Sequence, residues 1–220
     1  MAAVPPAIPR AAGVTARPPL TELARAERTD LAEFLATLTP AQWQAQSLCD
    51  RWTVKDVVAH VVSYEELSFG GLVGRFVKGR IAHANQVGVD EFSHLSTFEL
   101  LDYLNRHLDP SGLTARFGGM IGFVDGTIHH QDIRRALHRP RTVPADRLAR
   151  ILPLIPGNPR LGAGRRIKGL RLRATDVDWS HGAGPEVAGP GEALLMAMAG
   201  RPAALADLSG PGRDVLAQRL

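Results

Sequence analysis

The sequence predicts a mainly α-helical protein, an antiparallel four-helix bundle followed by a small α/β domain. Apolar residues recur at steps of three and four along four segments, and mostly short connections separate these segments. After Pro140 this periodicity gives way to alternation at Leu170, Leu172 and Ala174, which predicts one or two strands. With 220 residues, of which 45% are hydrophobic, the chain can bury a sizeable core.

The first two helices are predicted from their apolar stripes and their ends. The first begins at Leu20 and ends near Thr39-Pro40, because a residue before proline disfavours the helical conformation. Thr53 is the predicted N-cap of the second helix, and Asp56 stands three residues on, in the position of a capping-box acid. The stripe that follows predicts a helix that runs to about Lys78.

The other two helices follow a less periodic stretch, residues 79–92, which is predicted to contain a loop. Either Ser93 or Ser96 can cap the third helix, which ends at Asp109-Pro110. The fourth helix is predicted over roughly residues 114–137, although three glycines weaken its first half.

These elements divide the chain into four parts. Residues 1–19, rich in Ala and Pro, are predicted to be a disordered tail, and residues 20–139 the four-helix domain. Residues 140–168, rich in Pro, Gly and Arg, are a predicted linker with one short helix at about 145–154. Residues 169–220 are the predicted α/β domain, with short helices at about 192–199 and 203–208.

Composition argues against several classes of function. No apolar run approaches the roughly 18–20 residues that span a bilayer, and prolines interrupt the first residues, so we expect a cytoplasmic protein with no membrane partner. Cys49 is the only cysteine, which excludes an intrachain disulfide, and it is interpreted as a small buried apolar side chain. The basic cluster at 160–173 lacks interleaved aromatic residues, so a solvated loop is favoured and no nucleic-acid partner is expected.

Three side chains on inward helix faces form a candidate metal site. On the second helix, His60 shares the apolar face of Val57 and Tyr64. On the fourth, Asp125 and His129 stand one turn apart at i and i+4, so both can reach one ion. Two imidazoles and one carboxylate suit a divalent cation and leave a coordination position open, as in catalytic zinc sites.

Two neighbours of His129 qualify this site. Asp132 follows at i+3 and can orient an imidazole through a hydrogen bond. His130 is an alternative ligand, although it lies about 100° further round the helix. An isolated D-x-x-x-H often arises by chance, and a lone histidine on an apolar face is commonly a core residue, so the spacing alone does not establish a metal site.

Three stretches of the sequence together resemble the mycothiol-dependent maleylpyruvate isomerase family, which belongs to the DinB-like four-helix bundles. They read W…C-D-R-W-T-V-K-D-V-V-A-H, D-x-x-x-H-x-x-D-I-R-R-A-L and G-P-G-E-A-L-L-M-A-M-A-G-R, and the resemblance covers about Leu20 to Leu220. It implies that His60, Asp125 and His129 bind a divalent metal, usually taken as zinc. It also implies that Arg201, after the glycine of the third stretch, binds substrate or thiol and takes part in catalysis.

The candidate site departs from the family at one position, because Asp125 stands where the family usually has glutamate. Asp is one methylene shorter, which moves the carboxylate back by about 1.5 Å. This predicts weaker metal binding, recruitment of His130 or a water, or an inactive site.

The resemblance implies a metal-dependent enzyme that uses mycothiol, a low-molecular-weight thiol cofactor, on a small-molecule electrophile. In an isomerase the thiolate adds to a conjugated cis double bond, the adduct rotates, and elimination leaves the trans alkene; in an S-transferase the conjugate is released. Arg201, or Arg134 and Arg135, could neutralise a carboxylate of the substrate, although the latter two are interpreted as a solvated helix face. A metal-dependent hydrolase and a non-catalytic binding module remain alternatives, and a monomer or homodimer is expected.

Overall fold

The computed structural model describes residues 17–79 and 83–220, so residues 1–16 of the predicted tail lie outside the described residues. The described chain is mainly helical and carries one three-stranded sheet near its C-terminus, which confirms the predicted fold class. Among the described residues, no helix combines the length and the apolar character needed to cross a membrane.

Seven helices make up the N-terminal part of the chain. They are α1 (Leu20–Leu35), α2 (Pro40–Trp43), α3 (Val54–Val62), α4 (Phe69–Lys78), α5 (Ala84–Phe92), α6 (Thr97–Arg106) and α7 (Met120–Ala136). The helices α1, α3, α6 and α7 form the bundle, in which α1 and α3 each pack against both α6 and α7. The bundle therefore brings α3 and α7, which carry the candidate ligands, into contact.

The predicted caps of α3 and α6 are present. Thr53 accepts a hydrogen bond from the backbone N–H of Asp56, and the Asp56 carboxylate accepts one from the Thr53 N–H. Ser96 and Glu99 form the same reciprocal pair at the start of α6, which selects Ser96 over Ser93. These capping boxes fix where both helices begin.

The second predicted helix is wrong in its length, because α3 ends at Val62 and a turn separates it from α4. In this turn the buried carboxylate of Glu65 accepts hydrogen bonds from Arg28 (2.5 Å), Thr114 (2.6 Å) and the backbone N–H of Ser111 (2.8 Å). Burying a carboxylate requires such partners, so contacts from distant segments stabilise the break. Residues 79–92, predicted to contain a loop, include α5.

The fourth predicted helix begins later than expected, because α7 starts at Met120 rather than near residue 114. Phe117, Gly118 and Gly119 have φ angles of 54°, 66° and 85°, in the left-handed region. A right-handed helix cannot continue through three such residues.

The C-terminal part combines short helices with the sheet. Its elements are α8 (Ala145–Ile151), α9 (Ala163–Arg166), β1 (Arg171–Ala174), β2 (Ser180–His181), β3 (Glu186–Gly189), α10 (Gly191–Met198) and α11 (Arg213–Ala217). The strand order is β2-β1-β3, with β1 antiparallel to β2 and parallel to β3. The alternation at Leu170–Ala174 identifies β1, whereas β3 is not predicted.

The core consists of two clusters of buried side chains. One lies within the bundle and includes Leu31, Val58, Leu104 and Ile133. The other joins Phe123 and Val124 of α7 to α8, the sheet and α10, and the predicted linker contributes buried residues to it: Leu148, Ile151, Leu152, Ile155 and Ile167. The four-part division of the chain stays a prediction, but this second cluster holds α10, and Arg201 after it, against α7.

Candidate metal centre

The three predicted ligands converge between α3 and α7. Asp125 Oδ1 lies 3.6 Å from His60 Nε2 and 3.5 Å from His129 Nε2, and the ligand atoms of all three residues lie within 4.8 Å of one another. Zinc–ligand bonds of about 2.0–2.1 Å separate tetrahedral ligand atoms by about 3.4 Å. The two distances to Asp125 are therefore close to those around a small divalent cation.

The carboxylate of Asp125 reaches both imidazoles despite its short side chain. Its side chain is 34% exposed, whereas those of His60 and His129 are 4% and 10% exposed. Burial raises the pKa of Asp125, but the adjoining His129 and His60 outweigh burial and hold this pKa well below its usual range. Asp125 is therefore an anionic candidate ligand on the open side of the site.

His60 lies in a mostly aromatic environment that leaves one of its nitrogens without a partner. Its ring centroid is 4.9 Å from that of Trp52, 4.8 Å from that of His129 and 6.0 Å from that of Tyr64. Its Nδ1 is buried and has no hydrogen-bond partner among the described residues, while its Nε2 faces Asp125. Nε2 is therefore the nitrogen directed at the site, whereas Nδ1 lacks the hydrogen bond that usually orients a ligating histidine.

Asp132 orients His129 in the manner that the spacing predicts. Its carboxylate is fully buried, and Oδ2 lies 3.0 Å from His129 Nδ1. In the neutral imidazole that binds a metal, a proton held on Nδ1 by this contact leaves the lone pair on Nε2, toward His60 and Asp125. Burial raises the pKa of Asp132, but the hydrogen bonds from Arg201 and His129 lower this pKa by more than burial raises it, so the carboxyl is ionised.

Arg201 reaches the same carboxylate from the C-terminal part of the chain. Its Nε donates to Asp132 Oδ1 (2.8 Å) and its Nη2 to Oδ2 (2.7 Å), and its Nη1 donates to the Ala199 carbonyl (2.9 Å). One buried carboxylate thus connects a candidate metal ligand with the arginine that the sequence singles out. The catalytic and substrate-binding role of Arg201 stays a prediction.

Cys49 belongs to this cluster, which its interpretation as a small buried apolar side chain does not anticipate. Its Sγ lies 3.0 Å from Asp132 Oδ2, 3.5 Å from Arg201 Nη2 and 3.6 Å from His129 Nδ1. Cys49, His129 and Asp132 form a second group of possible metal ligands. The Arg201 guanidinium already contacts Cys49 and Asp132 in this group, and its positive charge would repel a cation there. The geometry therefore favours the set that contains His60 and Asp125.

A cavity of about 420 Å³ opens beside the candidate ligands. Asp125, His129 and Arg201 form part of its wall, and most of the remaining wall is apolar. A small molecule in this cavity would lie next to the open side of the three-ligand set.

Comparison with known proteins identifies the family. The family described as "Mycothiol maleylpyruvate isomerase N-terminal domain" matches residues 24–151 of the chain. The chain belongs to this family. No curated protein matches it.

The mycothiol maleylpyruvate isomerase family also supplies similar solved structures. They are the crystal structure of the mycothiol-dependent maleylpyruvate isomerase and that of a mutant of it in which one histidine is replaced by alanine. Each is 14% identical to this chain with a TM-score of 0.50, and each match covers 87% of this chain and 91% of the other. At this identity the likeness shows the fold alone, a DinB-like helical bundle with a small sheet-containing part.

His130, which the sequence offers as an alternative metal ligand, is directed away from the site. Its Nδ1 lies 2.8 Å from Glu27 Oε1, and its Nε2 accepts a hydrogen bond from Arg134 Nε at 2.8 Å. Both ring nitrogens are therefore engaged elsewhere. Burial lowers the pKa of His130 to about 4 although the Glu27 carboxylate opposes this, which agrees with a neutral imidazole that accepts from Arg134.

The interpretation of Arg134 and Arg135 as a solvated face is wrong. Arg134 stacks on the Phe34 ring, with its guanidinium carbon 3.9 Å from the ring centroid. Arg135 forms a two-point ion pair with Glu192 of α10 and a further, single-contact ion pair with Asp207. Both side chains hold α7 against its neighbours, which a helical wheel alone cannot show.

Proposed function

We propose that the protein is a metal-dependent enzyme that uses mycothiol to act on a small electrophile, as an isomerase or an S-transferase. The observation that carries the proposal is the convergence of His60, Asp125 and His129 beside the cavity, whose wall includes Asp125 and His129. Family membership supports mycothiol as the thiol and isomerisation as the type of reaction.

The three residues suit a divalent ion, and zinc is the ion that two imidazoles and one carboxylate commonly bind. They supply one negative charge in total, so a bound divalent ion keeps a net positive charge that attracts an anionic sulfur. When bound, such an ion supplies the chemistry that keeps a thiol in its nucleophilic thiolate form. The exposed side of Asp125 leaves the approach from the cavity open.

The other residues of the site hold and shield these ligands. Asp132 holds the proton of His129 on Nδ1 and fixes the ring orientation. Arg201 places its guanidinium in the cavity wall, where it can orient a negatively charged part of the substrate or cofactor. Trp52 covers His60 and limits the access of water from that side.

The hydrolase alternative would use the same ligands, and the preference for thiol chemistry therefore rests on family membership. The binding-module alternative predicts that the protein binds no metal, or that metal removal unfolds it. Both alternatives can be separated from the proposal by measuring metal content and activity.

The first experiment is the metal content of the purified protein, measured by mass spectrometry. The wild type and a His94→Ala control, which alters an exposed histidine away from the site, are expected to hold about one divalent ion per chain. The His60→Ala and His129→Ala variants are expected to lose the ion and keep their helical circular dichroism. Mycothiol-dependent turnover of simple electrophiles should disappear in the same two variants.

Absence of metal in the wild type, even after incubation with zinc, would overturn the proposal and favour a binding module. Metal binding with hydrolysis of esters or amides, but without any effect of mycothiol on turnover, would favour the hydrolase.

A further inference from the structure

The wall of the cavity beside the candidate ligands includes two arginines, Arg160 and Arg201. They differ in what their guanidinium groups already bind. That of Arg201 donates two hydrogen bonds to the Asp132 carboxylate and one to the Ala199 carbonyl, and its Nη2 also lies 3.5 Å from Cys49 Sγ. Most of its donors are therefore used within the protein, and the ionised carboxylate balances its charge.

Arg160 is the arginine of this wall whose charge is not engaged. Its side chain is exposed, and its guanidinium makes no ion pair or hydrogen bond within residues 17–79 and 83–220, which the structure describes. The remaining residues, 1–16 and 80–82, contain no Asp or Glu that could pair with it. A guanidinium in a cavity wall without a carboxylate partner is available to an acidic group of a ligand.

The segment that carries Arg160 forms part of the cavity wall, since residues 157–161 all line it. The Asn158 side chain accepts a hydrogen bond from the backbone N–H of Arg160 at 3.0 Å, which holds the backbone at this position. The charge of Arg160 also acts near the candidate ligands. Burial raises the pKa of Tyr64, whose ring centroid is 6.0 Å from that of His60, and Arg160 is among the charges that oppose this rise.

The balance of charge at the cavity depends on what the site holds. With a divalent ion, the set of His60, Asp125 and His129 carries one net positive charge, so this set and Arg160 both attract anions. In the proposed reaction this charge attracts the sulfur anion of the thiol, which cancels it. The electrophile reacts while the sulfur is present. Its acidic group therefore meets a neutral metal site and the positive charge of Arg160.

From these observations we infer that Arg160 is a substrate-binding residue, which pairs with an acidic group of the electrophile. Arg201 stays on Asp132 and positions His129 through that carboxylate. The assignment concerns one acidic group and sets no limit on others in the substrate. It rests on the proposed function, since it assigns the cavity to the electrophile of that reaction.

The test uses two probes of nearly the same size and shape, cinnamate and cinnamamide, which share a conjugated double bond and differ in charge. Binding is measured by isothermal titration calorimetry on the metal-loaded protein, with and without saturating mycothiol. Arg160→Gln is expected to weaken cinnamate binding about three- to tenfold and to leave cinnamamide binding unchanged, because only cinnamate carries a charge. Arg160→Lys should restore part of the affinity, since lysine keeps the charge and loses the two-point geometry.

Arg165→Gln is the matched control. Arg165 is exposed, makes no ion pair in the described part of the chain and does not line the cavity, so this variant removes the same charge from a neighbouring position. It is expected to change neither probe, and thermal melting shows whether each variant keeps its fold. In turnover assays Arg160→Gln should raise the KM of an acidic electrophile and leave kcat nearly unchanged, because the contact is the same before and during the reaction.

Cinnamate affinity of Arg160→Gln within about twofold of the wild type would overturn the inference. This result is also expected if the carboxylate coordinates the ion instead. An equal loss in Arg165→Gln would overturn it too, since the effect would then belong to general charge, and so would failure of the wild type to bind either probe.

The proposed function fails in a different way, through absence of metal or of mycothiol-dependent turnover. A protein without turnover that binds cinnamate in an Arg160-dependent way would keep Arg160 as the acid-binding residue of the cavity and refute the proposed reaction. An enzyme that turns over acidic electrophiles equally well with Arg160→Gln would do the opposite.

Discussion

Replacing Asp132 with asparagine should weaken metal binding and stability together. Asn has nearly the same shape as Asp, so the change removes the charge and leaves the packing almost unaltered. In the wild type the carboxylate accepts two hydrogen bonds from Arg201 and contacts His129 Nδ1 and Cys49 Sγ. The asparagine amide can keep one or two of these contacts, and it leaves the Arg201 guanidinium without a counterion.

The magnitude follows from the burial of the two partners. Removing one member of a buried ion pair typically destabilises a protein by about 3–5 kcal/mol. The Arg201 side chain is 21% exposed while Asp132 is fully buried, so water can partly solvate the remaining charge. We therefore expect the free energy of unfolding to fall by about 2–3 kcal/mol. Loss of the hydrogen bond that orients a histidine ligand usually weakens metal binding by about 10–100-fold.

Two assays on the same samples measure these effects. Competition with a zinc chelator gives the metal affinity, and urea titration of the metal-free protein, followed by circular dichroism, gives the free energy of unfolding. Glu192→Gln is the matched control, because Glu192 forms a similar two-point pair with Arg135 between α7 and α10 and does not contact His129. The control is expected to lose comparable stability and to keep the metal affinity of the wild type.

Two results would refute this reasoning. A metal affinity for Asp132→Asn within twofold of the wild type would show that Asp132 does not orient His129 as a ligand. A similar loss of affinity in Glu192→Gln would show that metal binding follows general stability rather than this contact.

Three further predictions concern residues away from the metal ligands. Burial raises the pKa of Glu27, but the His130 hydrogen bond and two arginine charges lower it to about 2, so Glu27 stabilises the fold at neutral pH by up to about 3 kcal/mol. This contribution should be lost as the pH falls from about 4.5 to about 2 in urea titrations, and Glu27→Gln should lack it. Phe117→Gly should raise the free energy of unfolding by a few tenths to about 1 kcal/mol, because glycine adopts a φ of 54° without strain; a lower melting temperature would contradict this. Gly88→Ala should lower the free energy of unfolding by about 1–2 kcal/mol despite the better helix propensity of Ala, because the new Cβ would lie 2.6 Å from Ser63 Oγ. An unchanged melting curve would contradict this and show that Ser63 moves aside.

The features that the sequence predicts correctly are those that depend on neighbours within one or two turns. The capping box of Thr53 and Asp56 spans three residues, and the pair Asp125 and His129 spans four. Helical periodicity also directs His60 inward, where it meets this pair across the bundle. Each of these predictions uses only the period of the α-helix and the chemistry of a few side chains.

The errors arise where distant residues decide the local structure. The break after Val62 is stabilised by Arg28, Ser111 and Thr114 around Glu65, none of which is within 30 residues of it in the chain. An apolar stripe that continues past the break cannot reveal these partners.

Cys49 is the clearest example of such an error, because its partners Asp132 and Arg201 lie 83 and 152 residues away. Composition and spacing treat a single cysteine as a small apolar residue. Its sequence neighbours in the C-D-R-W stretch, which the family resemblance includes, are the one signal that could have marked it.

The contrast between local contacts and contacts of distant segments also explains how the site is assembled. The three candidate ligands come from α3 and α7 and need only the bundle, whereas Arg201 reaches Asp132 only when α10 is packed against α7 by the second core cluster. Because Asp132 contacts both His129 and Arg201, docking of the C-terminal part and orientation of a ligand depend on one carboxylate. Metal binding should therefore favour the packing of α10 against α7. Loss of the Asp132 carboxylate should uncouple this packing from the orientation of His129. Asp132→Asn thus tests more of this structure than the removal of any single ligand.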